Sequence, residues 1–219
     1  LVNNVNKLIE EYVPTEFIEK WKVSVADGSV CFGSAMERWA VSIKTMKDKN
    51  VSFKDIFKYI EEGKQDKLEE LAPIEDAVLP MILEHLPSPK IAQPYRIPQI
   101  WHGDIKSEEG RAMIAVDRKK STNVVVFKVL WDPHSGEVAI GRVFSGEVKK
   151  GLELYETGKL GKQRVQQVAL YMGPEKITVD SIPAGNIAAI VGLNDPTVGD
   201  TLSETVIEPF EQIVHYSKP

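Results

Sequence analysis

The sequence predicts two unlike parts, an α/β part over residues 1–100 and an all-β barrel over residues 101–219. Apolar residues at helical spacing dominate the first part. Short β-branched runs between glycine and proline turns dominate the second, as is typical of a small barrel or sandwich. Between them, residues 86–98 hold four prolines. Proline blocks regular structure, so we expect an extended linker there and a domain boundary near residue 100.

Three helices are predicted in the first part. They run to about Tyr12, over residues 53–60, and from Ile74 to just before Pro87. Ser52 is a candidate N-cap for the second helix, because its hydroxyl can accept from a free backbone N–H. Pro80 is expected to kink the third helix or to lie near a helix junction. Apolar spacing starts with Val2, so we expect the chain to begin inside a helix.

One strand is predicted between the first two helices, over residues 28–35. It contains Cys31, which we interpret as a small buried residue rather than a nucleophile. The strand is expected to end in a small-residue loop, Gly33, Ser34 and Ala35. Small residues there would let a backbone or ligand approach closely.

The second part is predicted to begin with a hairpin. Its strands cover residues 123–131 and 137–144, and the turn between them contains Asp, Pro, Ser and Gly. The first strand is almost wholly apolar, so we expect Phe127, and Phe144 in the second, to be buried. Gly141 in mid-strand indicates a bulge or a barrel corner. Further strands are predicted at residues 153–155, 163–172 and 187–191, with glycine turns at 151, 173, 185 and 192.

The composition restricts the classes of function. The formal net charge is -5, with acids and bases interspersed, so no global attraction to nucleic acid or anionic lipid is expected. No apolar run reaches the length of about 18 residues that a membrane span needs. We expect no leader sequence either. With a single cysteine, these features favour a cytoplasmic protein without a disulfide framework.

Motifs for catalysis are absent. A nucleotide-hydrolysing P-loop needs G-x-x-x-x-G-K-[ST], because backbone amides, lysine and hydroxyl together hold the phosphates. Residues 158–163 come nearest but have the wrong glycine spacing. The four histidines are far apart, so no metal site is predicted, and His102-Gly103-Asp104 is interpreted as a turn. We therefore predict no catalytic residue and no metal ligand in this chain.

Two groups of cations are candidates for a local RNA contact. One is Lys149 and Lys150, and the other is Lys159, Lys162 and Arg164 in a glycine-containing loop. Cations on a flexible backbone suit phosphate oxygens. The sequence alone favours the alternative, a solvated hairpin edge whose lysines discourage strand pairing.

Several blocks in order resemble the elongation factor 2 family of translational GTPases. V-C-F-G-S-A at 30–35 with W-A-V-S at 39–42 resembles the family's last guanine-recognition motif. Further blocks resemble its second domain: G-R-V-F-S-G at 141–146, R-V-Q-Q-V at 164–168, Y-M-G-P-E at 171–175, I-P-A-G-N at 182–186 and G-L at 192–193. The short barrel loops are more similar to archaeal than to eukaryotic members.

The resemblance implies a fold and a set of ligands. Residues 1–100 would be the C-terminal part of a P-loop GTPase domain, and residues 101–219 the domain II barrel, ending at the linker to a third domain. Gly33, Ser34 and Ala35 would lie beside the guanine of GTP or GDP. The parent protein would use Mg²⁺, contact small-subunit ribosomal RNA and contain further domains. This chain alone would need no cofactor.

The departures from the family are equally informative. Asn6-Lys7-Leu8-Ile9 has Ile9 where the family's N-K-x-D motif needs an aspartate, and no D-x-x-G segment is present. We therefore expect this chain alone not to hydrolyse GTP. Two alternatives stay open: a non-enzymatic RNA-binding module built on such a barrel, or part of a related GTPase that delivers tRNA.

Overall fold

The computed structural model describes residues 1–156, 159 and 161–212. The chain forms two compact units, Leu1–Leu86 and a second from Pro87 onward. The boundary between the two units, after Leu86, lies N-terminal to the domain boundary expected near residue 100. Each unit is described by itself below.

The first unit is mostly helical, with one small hairpin. Its elements are α1 (Val2–Tyr12), α2 (Thr15–Trp21), β1 (Phe32–Ser34), β2 (Trp39–Val41), α3 (Ile43–Lys49), α4 (Phe53–Glu61), α5 (Gln65–Leu71) and α6 (Ile74–His85). β1 and β2 pair antiparallel. The core gathers Trp39 and Val41 from β2, Ile56 from α4 and Leu68 from α5.

All three predicted helices are present, as α1, α4 and α6. Ser52 does cap α4: its Oγ accepts from Asp55 N at 3.3 Å, and Asp55 Oδ2 accepts from Ser52 N at 2.9 Å. Pro80 lies inside α6 rather than at a junction. The predicted strand is shorter than expected, because β1 begins only at Phe32. Cys31 precedes it and is half-buried, so its interpretation as a buried strand residue was wrong.

The predicted linker is instead a helix, α7 (Pro89–Ile100). Pro89 occupies its first turn, where no N–H is needed. Pro94 and Pro98 are exposed, so the backbone carbonyls that lose their helical partners can bind water. Gln93 and Ile97 are buried on another face. Burial of that face outweighs the low helix propensity of proline, which the composition could not show.

The second unit adds two helices to an antiparallel sheet. Its elements are α7, α8 (Glu108–Ala115), β3 (Asn123–Asp132), β4 (Gly136–Ser145), β5 (Glu147–Lys149), β6 (Glu153–Glu156), β7 (Lys162–Arg164), β8 (Gln167–Met172), β9 (Glu175–Val179), β10 (Ser181–Pro183), β11 (Ile187–Val191) and β12 (Thr201–Ser203). Eight strands follow the order β7-β6-β12-β3-β4-β11-β8-β9, and β5 pairs with β10. The barrel core includes Val124, Val143, Leu154, Ile190 and Leu202.

The predicted β3–β4 hairpin is confirmed, but the predicted full burial of Phe127 and Phe144 is not. Asp132 Oδ1 accepts from His134 N and Ser135 N, both at 2.9 Å, and closes the turn. A register shift between Val126 and Lys128 leaves Phe127 46% exposed. Its predicted burial was therefore wrong, because the extra residue interrupts the alternation of the strand. Phe144 is half-buried and stacks on Phe210 with ring centroids 4.9 Å apart.

The single strand predicted over residues 163–172 is two strands, β7 and β8. Between them, Val165 N donates to Leu152 O and Gln166 N donates to Val191 O, each at 2.9 Å. The chain thus leaves β6 and moves to β11 at this point. The strand predicted at residues 187–191 is confirmed as β11. In the part of the chain that the structure describes, no helix has both the length and the apolar composition needed to cross a bilayer.

Candidate functional site

The guanine-side candidate is a hairpin, not a loop. Gly33 and Ser34 belong to β1, facing Ala40 and Trp39 of β2, and only Ala35 lies in the turn. Ser34 Oγ accepts from Glu37 N at 3.3 Å, which helps to close that turn. The prediction that these small residues form a loop was therefore wrong for Gly33 and Ser34. Here the small residues instead allow two strands to approach each other closely.

Gly33 shows how close that approach is. A Cβ at this position would stand 2.3 Å from Trp39 O and 2.7 Å from Ala40 Cα, which no side chain tolerates. Gly33 and Ala35 are exposed, whereas Trp39 and Ala40 are buried. Among the described residues, β1 pairs only with β2. At Gly33 and Ala35 the hairpin thus presents exposed backbone with little side chain, which suits recognition of a flat ring, while Phe32 and Met36 beside them have large exposed side chains.

Four of the five predicted RNA-contact residues lie close together in the second unit. Lys149, Lys150 and Lys162 line one open depression. Gly151 lies in the turn after Lys150, and Arg164 Nη2 lies 3.7 Å from the point where a Cβ at Gly151 would stand. All four cations are exposed, and across residues 1–156, 159 and 161–212 none of them forms an ion pair. We call these four residues the basic edge.

Two carboxylates reduce the net positive charge at the basic edge. Glu153 and Glu204 line the same depression, so the local charge is four cations against two anions. Lys162 Nζ also stands 5.0 Å above the Tyr155 ring, which favours a defined position for this cation. The arrangement can bind phosphate oxygens through its excess positive charge.

Lys159 stands apart from the basic edge. Its Nζ lies 2.5 Å from Glu156 Oε1 and donates to Asn194 O at 2.7 Å and Asp195 O at 2.5 Å. Its donors are therefore used within the barrel. Gly158 and Leu160 of the predicted loop lie outside the described residues, as do His215 and the segment expected to lead into a third domain.

Glu156 is a residue that the sequence reasoning missed. Only 3% of it is exposed, although it is acidic. Burial raises the pKa of this carboxyl to about 7, and Asp200 also raises it, whereas the Lys159 ammonium lowers it. Strand alternation could have found the residue, because Glu156 lies on the same face of β6 as the buried Leu154.

Glu156 gives a prediction for stability against pH. The folded pKa of this carboxyl is above its ordinary value of 4.5, so in the window between 4.5 and about 7 the folded chain holds a proton that the unfolded chain releases. The free energy of unfolding should therefore fall as pH rises through that window and level off above it. The Glu156→Gln variant has no carboxyl to titrate at this position.

Urea unfolding of wild type and Glu156→Gln, inside and above the pH window, measures the effect. The free energy of unfolding of wild type minus that of the variant should decrease as pH rises. A difference that stays constant with pH would contradict the assignment.

No catalytic constellation emerges elsewhere in the described part of the chain. It holds no group of three or more His, Cys, Asp or Glu able to bind a metal ion. His102 Nε2 lies 3.5 Å from Glu211 Oε2 rather than pairing with Asp104. Asp104 Oδ1 accepts from Lys106 N at 2.9 Å, as expected for a turn.

Comparison with known proteins gives consistent matches. The family model described as Elongation factor G domain 2 matches residues 121–205. Elongation factor 2 of Methanocaldococcus jannaschii is 48% identical over all of this chain, and those of Thermoplasma acidophilum and Thermococcus kodakarensis are 50% and 49% identical. The chain spans 30% of the length of each of these relatives.

The domain match covers the barrel, and the whole-chain identity extends through the hairpin of β1 and β2 and the helices around it. Both agree with the observed order of helices followed by an antiparallel sheet. This chain belongs to the elongation factor 2 family.

Proposed function

We propose that this chain is part of a GTP-dependent ribosomal translocase, acting with further domains in the cytoplasm. Its first unit would be the end of the GTP-binding domain, and its second unit the domain that contacts small-subunit ribosomal RNA. The observation that carries the proposal is the 50% identity over the whole chain to a protein named Elongation factor 2. The exposed hairpin at Gly33 and the basic edge supply the geometry.

In this proposal the hairpin residues Gly33, Ser34 and Ala35 flank the guanine of GTP or GDP. The phosphates and Mg²⁺ would be held outside this chain, because it contains neither G-x-x-x-x-G-K-[ST] nor D-x-x-G. Catalysis in the complete protein would consist of positioning and charge stabilisation. The chain alone should therefore release no phosphate from GTP.

The basic edge is the proposed RNA contact, with Lys159 left out because its donors are satisfied by Glu156 and by the carbonyls of Asn194 and Asp195. Neutralising the edge with Lys→Gln and Arg→Gln changes should weaken binding to small ribosomal subunits. Each lost phosphate contact reduces the slope of log K against log salt by about 0.7–0.9. Binding measured over a salt series should therefore show both a lower affinity and a shallower slope.

A matched control removes the same charge elsewhere on the second unit. Lys90, Lys106, Lys119 and Arg118 are exposed and, among the described residues, form no ion pair. Neutralising these four should leave the slope unchanged. If both quadruple variants lose the same slope, the attraction comes from net charge, and the basic edge is not the contact.

A further inference from the structure

The β6–β7 hairpin is anchored from inside the barrel by one buried carboxylate. Glu156 lies at the end of β6, opposite Leu202 of β12. Its Oε1 is 2.5 Å from Lys159 Nζ, and its Oε2 accepts a hydrogen bond from Gln163 Nε2. Lys159 lies in the connection between β6 and β7, and Gln163 lies in β7, so Glu156 contacts both the connection and the second strand of the hairpin.

The same two partners also bind the loop between β11 and β12. Lys159 Nζ donates to the carbonyls of Asn194 and Asp195, at 2.7 Å and 2.5 Å. Gln163 Oε1 accepts from Asn194 N at 2.5 Å. Glu156, Lys159 and Gln163 therefore join the hairpin to a loop more than 30 residues away in sequence. We call these three residues the hairpin clamp.

Strand alternation connects the clamp to the basic edge. Gln163 is paired with the buried Leu154, so it lies on the inner face of β7. Lys162 and Arg164 flank it and must project from the opposite face. β7 has only three residues and, among the described strands, pairs with β6 alone. Such a short edge strand has little else to orient it.

We propose that the hairpin clamp positions Lys162 and Arg164 for phosphate binding, and that Lys159 is a positioning residue rather than an RNA ligand. The inference rests on the proposed RNA contact. A merely stabilising network would affect the whole barrel. The hairpin clamp instead acts on one edge strand, β7, whose exposed Lys162 and Arg164 belong to the proposed RNA contact. Cutting it should disorder these two cations while leaving the barrel core folded.

Lys162 supplies a readout that needs no RNA. Its Nζ lies 5.0 Å above the Tyr155 ring, so ring currents should shift the proton resonances of its ε-methylene group upfield. In Lys159→Met this shift should be lost. The double variant Glu156→Gln with Lys159→Met avoids leaving an unpaired buried carboxylate and should lose it as well. Retention of the shift in both variants would overturn the clamp, whatever the result with ribosomes.

Binding to small ribosomal subunits over a salt series completes the test. Lys159→Met should lower affinity several-fold with an unchanged salt slope, whereas Lys162→Met should reduce the slope by about 0.7–0.9. A slope loss in Lys159→Met equal to that in Lys162→Met would make Lys159 a phosphate ligand and overturn the proposal. Lys159→Arg retains the charge and should restore both affinity and the Lys162 shift. If wild type binds no subunits, the RNA contact fails while the resonance shift still decides the clamp.

Discussion

Ile190→Ala is expected to lower the free energy of unfolding of the barrel by about 2–5 kcal/mol. Ile190 is 0% exposed and lies in β11, paired with Ala139 of β4 on one side and Val168 of β8 on the other. Both neighbours are small and held in strands, so they cannot collapse into the space left behind. The loss therefore combines the transfer free energy of the removed atoms with the cost of a cavity.

Ile187 is the matched control for this change. It lies on the same strand and is 50% exposed. Ile187→Ala removes the same atoms without enclosing a cavity, so its effect should stay within about 1 kcal/mol. Urea unfolding followed by far-ultraviolet circular dichroism measures both. Equal losses for the two variants would show that Ile190 does not lie in a closely packed core.

The elements predictable from sequence were those determined by local chemistry. The β3–β4 hairpin follows from two apolar runs around a turn that Asp132 closes through its own neighbours. The Ser52 cap is likewise a contact between residues three apart. In both cases the partners are close in sequence, so no tertiary information was needed.

The sequence-based predictions were wrong where contacts with residues distant in sequence determine the local structure. α7 exists because Gln93 and Ile97 are buried, and Gln93 Nε2 donates to Phe144 O at 2.9 Å, 51 residues away. Phe127 is exposed because of a bulge that its apolar run does not reveal. Neither the Gln93–Phe144 contact nor the register of β3 against β4 can be seen in the local sequence pattern.

The candidate sites divide in the same way. The motif around Gly33 was recognisable, but its place in a strand depends on contact with Trp39 and Ala40. Lys159 and Lys162 each follow a glycine in the same short segment, so the sequence did not distinguish them. The structure distinguishes them: Lys159 is held by the buried Glu156 and by the carbonyls of residues 194–195, which are distant in sequence, whereas Lys162 lies over the Tyr155 ring without an ion pair among the described residues.

Gly146→Ala is expected to lower the free energy of unfolding by about 2–5 kcal/mol, from two causes that add. Gly146 has φ +71°, a conformation that costs a residue with a Cβ about 1–2 kcal/mol. That Cβ would also stand 2.4 Å from Thr122 Cα and 2.6 Å from Thr122 N. Forcing such an overlap in a packed interior costs about 1–3 kcal/mol more.

Thr122 cannot move aside easily. It is buried, and its Oγ1 accepts from Glu147 N at 3.2 Å, while Gly146 N donates to Asp117 O at 2.9 Å. The overlap is with backbone, not with the end of a flexible side chain, so relief would require shifting the start of β3 or the connection from β4 to β5. Both belong to the barrel.

Gly173→Ala separates the two causes. Gly173 also has positive φ, +61°, but nothing lies within 4 Å of its Cβ position. This variant should lose only the conformational cost of about 1–2 kcal/mol. The difference between the two variants in urea unfolding then measures the contact with Thr122. If they lose the same free energy, backbone conformation alone accounts for glycine at position 146, and the close approach of β3 to the β4–β5 connection adds nothing.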